Sequence, residues 1–301
     1  MIPRPLIAVT GSSGFIGGRF VEVMGGLGYR IRHLTRRADA ADAFGDARAF
    51  DLLQGKVDAA ILDGCETLVH LAAHIPADHF DPEEAERCWR ANALGTLRLA
   101  EAAARTGIRR FIQTTGANAY AAWESAPTES AAMFPRSRGY YLGSKILQEM
   151  YAREICGPAQ LPLATLRVAS VYGPGQRRGA VTTLARAFFA GHPVALQDGG
   201  RFGADFVHVD DVVAALVLVA QGTYDEPFNV GSGVRTSILE LARALASVAG
   251  VSSSLIHVEP EAAAGDPGFP ALSIARIESL GYRPMDLKAG LATMVVREAR
   301  A

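Results

Sequence analysis

The sequence has no excess of charge of either sign, and this excludes one class of function. Acidic and basic residues nearly cancel, giving a formal net charge of −1 at pH 7. Proteins that hold nucleic acid by its backbone present strongly basic surfaces. No nucleic-acid partner is therefore expected.

Cysteine is scarce as well. Cys65, Cys88 and Cys156 are widely spaced, and they form neither an even disulfide set nor a metal-binding pattern. The histidines between residues 70 and 79 have no Glu or Cys beside them at ligand spacing, so no metal site is expected. A reducing cytoplasm is the simplest inference for the compartment.

Long apolar runs, repeats and low-complexity linkers are also missing. The longest apolar run, Val212–Ala220, is far shorter than the ~20 residues that span a bilayer. The N-terminus leads directly into a predicted strand and does not resemble a signal peptide. We therefore expect a cytoplasmic protein without membrane contact, with one large domain or two closely joined ones.

The most informative stretch is the glycine turn, Thr10–Gly18. A short apolar run typical of a buried parallel strand precedes it, and apolar residues at helical spacing follow it. Gly11 allows a tight turn, Gly14 a close approach to pyrophosphate, and Gly17 close packing of helix on strand. The alternative is a tight turn that binds nothing. The predicted pyrophosphate-binding residues are Gly11, Ser13, Gly14, Phe15, Ile16 and Gly17.

The residues after the second predicted strand, 31–34, bear on the type of cofactor. In dinucleotide-binding folds, an acidic residue at the end of the second strand binds the ribose of NAD, whereas an Arg nearby accommodates the 2′-phosphate of NADP. Here the acid is missing, and Arg36 and Arg37 follow Thr35. The pattern favours NADP over NAD, with Arg36 as the phosphate ligand; alternatively, both arginines are ordinary solvated residues.

Two further segments are candidates for contact with the cofactor. Asp51 and Leu52 follow a short alternating run, and Asp51 either accepts a hydrogen bond from adenine or caps the next helix. A strand predicted over 67–73 ends in Leu71 and two small residues, Ala72 and Ala73. Small side chains would let a cofactor approach the backbone here. His70 within this strand is consistent with a satisfied core histidine.

The middle of the chain alternates between helix and strand. One long helix is predicted over Pro82–Arg105 and a buried strand over Arg110–Thr115. The segment Ala121–Gly139 is predicted to be a long loop, of a length that is usually functional or mobile. A helix then opens at Tyr140 and continues through Tyr151.

Tyr141 and Lys145 are four residues apart in this last helix and share one face. A phenol with a pKa of ~10 is a poor acid or base at neutral pH. A nearby ammonium favours the phenolate and lowers that pKa. The pair is therefore able to move a proton onto or off a carbonyl or alcohol oxygen, although such spacing also arises by chance.

Taken together, these motifs resemble the extended short-chain dehydrogenase/reductase family, the NAD(P)-dependent epimerase/dehydratases of the nucleotide-sugar type. The resemblance covers nearly the whole chain and rests on motifs in a matching order. They are Thr10–Gly17, Asp51-Leu52, Asn92–Thr96, Pro127–Glu129, Tyr141-x-x-x-Lys145, Leu166-Arg167, Val171–Gly175, Asp205–Asp211, Phe228–Gly233 and Leu280–Pro284.

The resemblance implies an α/β fold, a Rossmann doubly wound parallel sheet with a smaller C-terminal α/β substrate domain. The NADP-binding domain would take residues 1–170 and about 205–230, and the substrate domain 171–204 and 231–301. Tyr141 would be the general acid/base, with Lys145 holding the nicotinamide ribose. A homodimer through the helices 82–105 and 140–155 is also implied.

Some positions depart from the family pattern. Gly116 stands where the family usually has Ser or Thr, and Thr115 or, less readily, Asn118 would have to substitute as a catalytic hydroxyl or polar group. Ala204 and Ser170 replace an Arg and an Asn that meet the sugar nucleotide. Candidate replacements for the Arg are Arg177, Arg178, Arg186 and Arg201.

The leading hypothesis is an enzyme that acts on a nucleotide-activated sugar, by NADPH-dependent reduction of a 4-keto sugar or by epimerisation. Ala204 and Ser170 motivate an alternative, an NADPH-dependent reductase of a non-nucleotide carbonyl compound. Gly116 motivates another, an NADP-sensing regulator with little catalysis.

Overall fold

The computed structural model describes residues 5–37, 41–120, 126–133, 139–261 and 265–298. The strands are β1 (Leu6–Thr10), β2 (Arg30–Thr35), β3 (Gly45–Ala49), β4 (Cys65–His70), β5 (Arg110–Gly116), β6 (Leu163–Val168), β7 (Ser170–Tyr172), β8 (Val194–Leu196), β9 (Gly203–His208), β10 (Pro227–Val230), β11 (Arg235–Ser237) and β12 (Ile256–Val258). The α-helices are α1 (Phe15–Gly26), α2 (Glu83–Cys88), α3 (Gly95–Ala104), α4 (Tyr140–Cys156), α5 (Ala180–Phe189), α6 (Val209–Gln221), α7 (Ile238–Ala249), α8 (Ala275–Glu278) and α9 (Leu287–Glu298).

The chain divides into two compact units. The first unit comprises Met1–Ala121, Ala131–Val168 and Val213–Phe228. The second comprises Ala122–Ser130, Ala169–Val212 and Asn229–Ala301. Residues 205–212 fall in the second unit, whereas the family resemblance implies that about 205–230 belong to the NADP-binding domain.

The first unit is built on a seven-stranded sheet in the order β10-β6-β5-β4-β1-β2-β3. The pairs β1–β2, β1–β4, β2–β3, β4–β5 and β5–β6 are all parallel. The direction of strand progression reverses between β1 and β4, and in such sheets ligands bind outside the carboxyl ends of the strands at this point. The predicted Rossmann-type fold is confirmed.

Continuous burial explains why these segments form a parallel sheet. Ile7–Thr10 and Thr67–His70 are buried at every position, as expected for strands with helices on both faces. The helix α1 buries Phe20, Val21 and Met24, one apolar stripe at helical spacing. The apolar core therefore extends along the sheet, and the carboxyl ends of its strands carry the polar side chains discussed below.

The structure corrects the predicted extents of two elements. The strand expected over 67–73 ends at His70. The long helix over Pro82–Arg105 is continuous but contains a π-helical segment, Trp89–Leu94, between α2 and α3. Apolar periodicity does not distinguish one wide turn from α-helix, so the sequence did not reveal it. Residues 121–125 and 134–138 of the predicted loop lie outside the described residues.

The second unit contains two small sheets, one of β11, β9 and β7 and one of β12 and β8. Its apolar cluster includes Tyr172, Phe206 and Leu241. The helix α7 begins with a capping box of Ser237 and Glu240 and ends at Gly250 in the left-handed region, as its sequence dictates. Across the described parts of both units, no helix combines the length and the apolar character that crossing a membrane requires.

Candidate active site

The glycine turn at the end of β1 excludes side chains at two of its glycines. Gly11 has a φ of +69°, and a Cβ atom there would lie 2.7 Å from the backbone nitrogen of Ala72. A Cβ atom on Gly17 would collide with the carbonyl group of Gly11. Gly11 thus lets the turn meet the chain after β4, and Gly17 lets α1 pack on the turn.

The amino end of α1 is open to an anion. No side chain caps it, and its first turn holds no acidic residue. The N–H of Gly14 donates to the carbonyl oxygen of Gly11 at 2.9 Å and closes the turn. Ser13 is exposed, and Phe15 and Ile16 are half-buried. A narrow glycine turn leading to an uncapped helix start fits the pyrophosphate of a dinucleotide.

Hydrogen bonds hold the residues after β4 beside this turn. The Thr10 hydroxyl oxygen accepts hydrogen bonds from the N–H groups of Leu71 (3.2 Å) and Ala72 (3.1 Å). Leu71, Ala72 and Ala73 are half-buried. The structure therefore brings these three predicted cofactor residues beside the glycine turn.

His70 is a neutral core residue behind the turn. Its Nε2 lies 2.8 Å from Thr96 Oγ1, and its Nδ1 lies 2.7 Å from Thr10 Oγ1. Because the Thr96 hydroxyl donates to the carbonyl oxygen of Asn92, it accepts from Nε2, and Thr10 donates to Nδ1. Burial, together with the charge of Lys145, lowers the pKa of His70 to about 3. His70 is thus a satisfied core histidine, in keeping with the sequence.

The two predicted contacts with the adenosine end differ in their surroundings. Arg36 is exposed just after β2. Asp51 Oδ1 accepts a hydrogen bond from the N–H of Leu53 at 2.9 Å, so the carboxylate caps a turn. The carbonyl oxygen of Leu52 is so close to α3 that a Cβ atom on Gly95 would lie 2.6 Å from it.

Tyr141 lies in the first turn of α4, where the chain after β4 supports it. The N–H of Tyr140 donates to the carbonyl oxygen of His79 at 2.9 Å. The ring of His79 meets that of Tyr141 edge to face, with 5.3 Å between the centroids. Gly139 has a φ of +83° and packs so closely on His79 that a side chain would collide. These contacts fix the position of the phenol.

The sequence predicts that Lys145 lowers the pKa of Tyr141, but the structure gives Tyr141 a raised pKa. Burial, and secondarily the Cys88 thiol, raises the pKa of Tyr141 to about 12. Lys145 is also buried, and burial lowers its pKa to about 7. Its ammonium donates to the carbonyl oxygen of Thr114 at 3.0 Å and to Gln148 Oε1. With a pKa of about 7, Lys145 is largely uncharged in the pH range where the buried phenol ionises, so it does not lower the pKa of Tyr141.

Thr115, the predicted substitute hydroxyl, is buried and bonded to a carboxylate. Its Oγ1 donates to Glu149 Oε2 at 3.2 Å. The carboxylate of Glu149 is paired with the guanidinium of Arg167, which donates to the Tyr120 hydroxyl at 2.9 Å. Burial alone would lower the pKa of Arg167, but the interactions with Glu149 raise it by more. The net pKa is raised, so the guanidinium stays charged. The Thr115 proton is therefore engaged in a structural network.

Several polar residues of this site were missed by sequence reasoning. Asn92 was noted only as a family match, yet its amide joins His74 to α4. Its Oδ1 accepts from the N–H of His74 at 2.7 Å, and its Nδ2 donates to Ser144 Oγ at 2.9 Å. Gln113 and Gln148 were also missed, although a glutamine inside the apolar run of β5 is the kind of local inconsistency that marks functional sites.

In the second unit, the position of the missing arginine belongs to the core. Ala204 is 2% exposed and packs in the apolar cluster. Among the candidate replacements, Arg201 is paired with Asp198 and Glu261. The other three candidates are exposed: Arg177, Arg178 and Arg186.

The fold and these features define a class: an α/β protein shaped for a dinucleotide at the carboxyl edge of its parallel sheet, with a Tyr–Lys pair on a following helix. Residues 7–231 match the model of the NAD dependent epimerase/dehydratase family. The chain belongs to this family of enzymes, which confirms the resemblance to the extended short-chain dehydrogenases/reductases.

Individual relatives span the whole chain. The chain is 31% identical to the UDP-glucose 4-epimerase of Mycolicibacterium smegmatis, covering 95% of this chain and 96% of the relative. It is 28% identical to the dTDP-4-dehydro-6-deoxy-D-allose reductase of Streptomyces bikiniensis, covering 95% and 93%. The solved structure of MoeE5 in complex with UDP-glucuronic acid and NAD has a TM-score of 0.84 at 28% identity, covering 98% and 99%.

Proposed function

We propose that this enzyme transfers a hydride between a nicotinamide dinucleotide and a carbon of a nucleotide-activated sugar, with Tyr141 as the acid/base. The observation that carries the proposal lies within the first unit. The glycine turn follows β1, Leu71–Ala73 follow β4, and the Thr114 carbonyl that holds Lys145 lies in the last half of β5. The carboxyl ends of these parallel strands share one edge of the sheet.

The protein side of the reaction is the handling of one proton. The glycine turn and Leu71–Ala73 would hold the dinucleotide, which supplies or accepts the hydride when bound. Tyr141 then gives its phenolic proton to the developing alkoxide of the sugar, or takes it back in the reverse direction. The raised pKa of Tyr141 keeps the phenol protonated at neutral pH, which suits the role of an acid in carbonyl reduction. Lys145 would bond the nicotinamide ribose.

For the reaction, we propose NADPH-dependent reduction of a 4-keto sugar or a sugar epimerisation. Relatives with both kinds of activity support this: a 4-epimerase at 31% identity and a reductase at 28%. Arg36 supports NADP, because an exposed guanidinium at the end of β2 favours a 2′-phosphate. The NAD in the MoeE5 structure makes NAD the competing cofactor, and binding measurements decide between them.

A second candidate is a reductase of a carbonyl compound without a nucleotide. It is supported by Ala204, which is buried among apolar side chains where an Arg would meet pyrophosphate. Under the leading proposal, exposed Arg177 and Arg178 in the glycine-containing segment before α5 take over that role.

For the organisation of the molecule, we propose that the first unit binds the dinucleotide and the second the sugar nucleotide. We also propose a homodimer through α2, α3 and α4, supported by exposed apolar side chains on these helices and the segment between them, Trp89 at 43% and Met150 at 54%. Sedimentation of the wild type and of Trp89→Glu tests this: the wild type should be a dimer and the variant more dissociated, and a monomeric wild type would refute it.

The test of the substrate class is a thermal-shift screen with UDP, TDP, GDP and CDP, each with and without NADPH. A ligand that binds only the folded protein raises the apparent stability by RT ln(1 + [L]/Kd). We expect one of the nucleotides to raise Tm, and Arg177→Ala/Arg178→Ala to abolish that rise without changing the response to NADPH. If none of the four raises Tm while NADPH does, the non-nucleotide substrate is favoured.

A further inference from the structure

Lys145 stands at the end of a buried chain of side-chain hydrogen bonds that the family motifs do not include. Its ammonium donates to Gln148 Oε1. Gln148 Nε2 donates to Gln113 Oε1 at 3.1 Å, and Gln113 Nε2 donates to Thr165 Oγ1 at 3.1 Å. The chain therefore runs from α4 across β5 to β6 within the first unit.

The direction of every bond in this chain is set by chemistry. An ammonium has donors only, so Gln148 must present its oxygen to Lys145 and its NH₂ to Gln113. Gln113 must then present its own oxygen to Gln148 and its NH₂ to Thr165. Both amide dipoles thus point their negative ends toward the ammonium, and aligned hydrogen bonds strengthen one another in a low-dielectric interior.

All four side chains are buried, with exposed fractions of 4% for Lys145 and 0% for Gln148, Gln113 and Thr165. Buried amides are costly unless every donor and acceptor is paired. Gln148 meets this demand, because its Nε2 also donates to the carbonyl oxygen of Thr114 at 3.3 Å. Its amide and that carbonyl therefore form a rigid two-point cradle for the ammonium.

We propose that Gln148, backed by Gln113, is a positioning residue that keeps Lys145 charged and leaves its remaining N–H for the nicotinamide ribose of the dinucleotide. The catalytic half of this inference rests on the proposed function of Lys145. The ammonium has three donors, and Gln148 and Thr114 take two. The third is thereby left in a fixed direction for a ligand oxygen.

The titratable groups His70 on β4 and Tyr141 and Glu149 on α4 do not stabilise the ammonium of Lys145. His70 of β4 is neutral, because burial holds its pKa near 3. On α4 itself, Tyr141 is a protonated phenol at neutral pH, and the Glu149 carboxylate is paired with Arg167. The acceptors that stabilise the ammonium are therefore dipoles, and Gln148 is the one that mutation can remove.

The chain is well suited to a direct test, because it contains only three lysines, Lys56, Lys145 and Lys288. Lys56 and Lys288 are exposed. Protein labelled with ¹³C at lysine Cε should therefore give three NMR signals, and the two exposed lysines serve as internal references. We expect Lys145 of the wild type to titrate near pH 7, in line with its burial.

Gln148→Leu should lower the titration midpoint of Lys145 by about one pH unit, the equivalent of one hydrogen bond to a charged group. Gln148→Glu should raise the midpoint by about as much or more. Gln113 can then turn its amide so that its NH₂ donates to the new carboxylate and its oxygen accepts from Thr165, because the Thr165 hydroxyl both donates and accepts. The exposed Gln221→Leu is the matched control and should leave it unchanged. Gln113→Leu, which leaves Gln148 without one of its acceptors, should act in the same direction as Gln148→Leu but less strongly.

An unchanged midpoint in Gln148→Leu would overturn the proposal, because Gln148→Glu adds a charge that raises the midpoint in any case. Since this titration needs no turnover, it distinguishes the two inferences: shifted midpoints in a protein inactive on every sugar would sustain the positioning of Lys145 and refute the proposed function. In an active enzyme, the pH profile of kcat should shift with the midpoint, and Gln148→Glu should restore activity that Gln148→Leu loses. A purely structural glutamine would change the thermal stability without moving either profile.

Discussion

The two units use buried polar side chains in different ways. In the first unit, those around Tyr141 and Lys145 bond largely to one another: Lys145 to Gln148, and His70 to Thr10 and Thr96. Such networks hold side chains in fixed directions, which a reaction centre requires.

In the second unit, buried polar side chains bond mostly to backbone groups. Asp205 accepts from the N–H groups of Ser232 (2.7 Å), Gly233 (3.0 Å) and Leu272 (3.2 Å). The Tyr282 hydroxyl donates to the carbonyl oxygen of Gly231 at 2.9 Å. These bonds fasten irregular segments that helices and strands do not hold.

The difference shows that family motifs carry two kinds of information. Tyr141-x-x-x-Lys145 and the glycine turn mark chemistry, whereas much of Asp205–Asp211 and Phe228–Gly233 serves the architecture of loops. The comparison predicts that a mutation in the first set changes turnover more than stability. A mutation in the second set should change stability more than turnover.

Tyr141→Phe should have the largest effect. Removing the acid/base should lower kcat by about 10²- to 10⁴-fold, while the phenylalanine ring keeps the contact with His79. Dinucleotide affinity, measured by fluorescence titration, and Tm should stay close to those of the wild type. Retained turnover would remove Tyr141 from the mechanism.

Asp205→Ala should have the largest effect on stability. It leaves three N–H groups without this acceptor, that of Leu272 in a buried contact and those of Ser232 and Gly233 in half-buried ones, and the free energy of unfolding should fall by about 3 kcal/mol. Asp205→Asn keeps one carbonyl acceptor and should lose less. Denaturant titration checks this, and equal stability of wild type and Asp205→Ala would show that the carboxylate does not hold these loops.

Lys145→Met should change the pH dependence of stability. The folded pKa of Lys145, about 7, lies below its unfolded value, so between these values the unfolded chain binds more protons. Wild-type stability should therefore rise with pH above 7, relative to Lys145→Met, by at most about 1.4 kcal/mol per pH unit. Chemical unfolding of both proteins at pH 7 and 8.5 measures the difference; parallel pH profiles would show that Lys145 titrates normally.

Arg36→Glu should reverse the choice of cofactor. A carboxylate repels a 2′-phosphate and accepts from a ribose hydroxyl, so the affinity ratio of NADPH to NADH should fall by about 10- to 100-fold. Arg37→Glu is the matched control beside it and should change the ratio less. Tighter binding of NADH than of NADPH by the wild type would contradict the role proposed for Arg36.

Gly116→Ser should have the smallest effect. Gly116 has φ −107° and ψ 126°, which any residue adopts, and an added Cβ atom would lie 3.5 Å from the nearest atom, Leu142 Cδ2. The Cβ atom of a serine therefore fits, and we expect unchanged Tm and a rise in kcat of a few-fold at most. A large loss of activity would show that the site depends on a bare backbone at this position.

Much of the first unit could be predicted from the sequence, because its strands are short apolar runs and its glycines occupy a known turn. The π-helical segment and the end of β4 could not, since neither alters the apolar period. The direction of the Lys145 side chain was also hidden: helical spacing places it on the face of Tyr141, but its partners, Gln148 and the Thr114 carbonyl, are set by tertiary packing. The pKa of Tyr141 was mispredicted because the burial that raises it is also set by tertiary packing.

The most direct test of the account is a single-turnover measurement of nicotinamide absorbance. Protein loaded with NADPH, or with NAD in parallel, is mixed with the nucleotide sugar selected by the thermal-shift screen. The account predicts a change in nicotinamide absorbance in the wild type and, at equal dinucleotide occupancy, a change slower by about 10²- to 10⁴-fold in Tyr141→Phe. An absorbance change of equal size and rate in both proteins would contradict it.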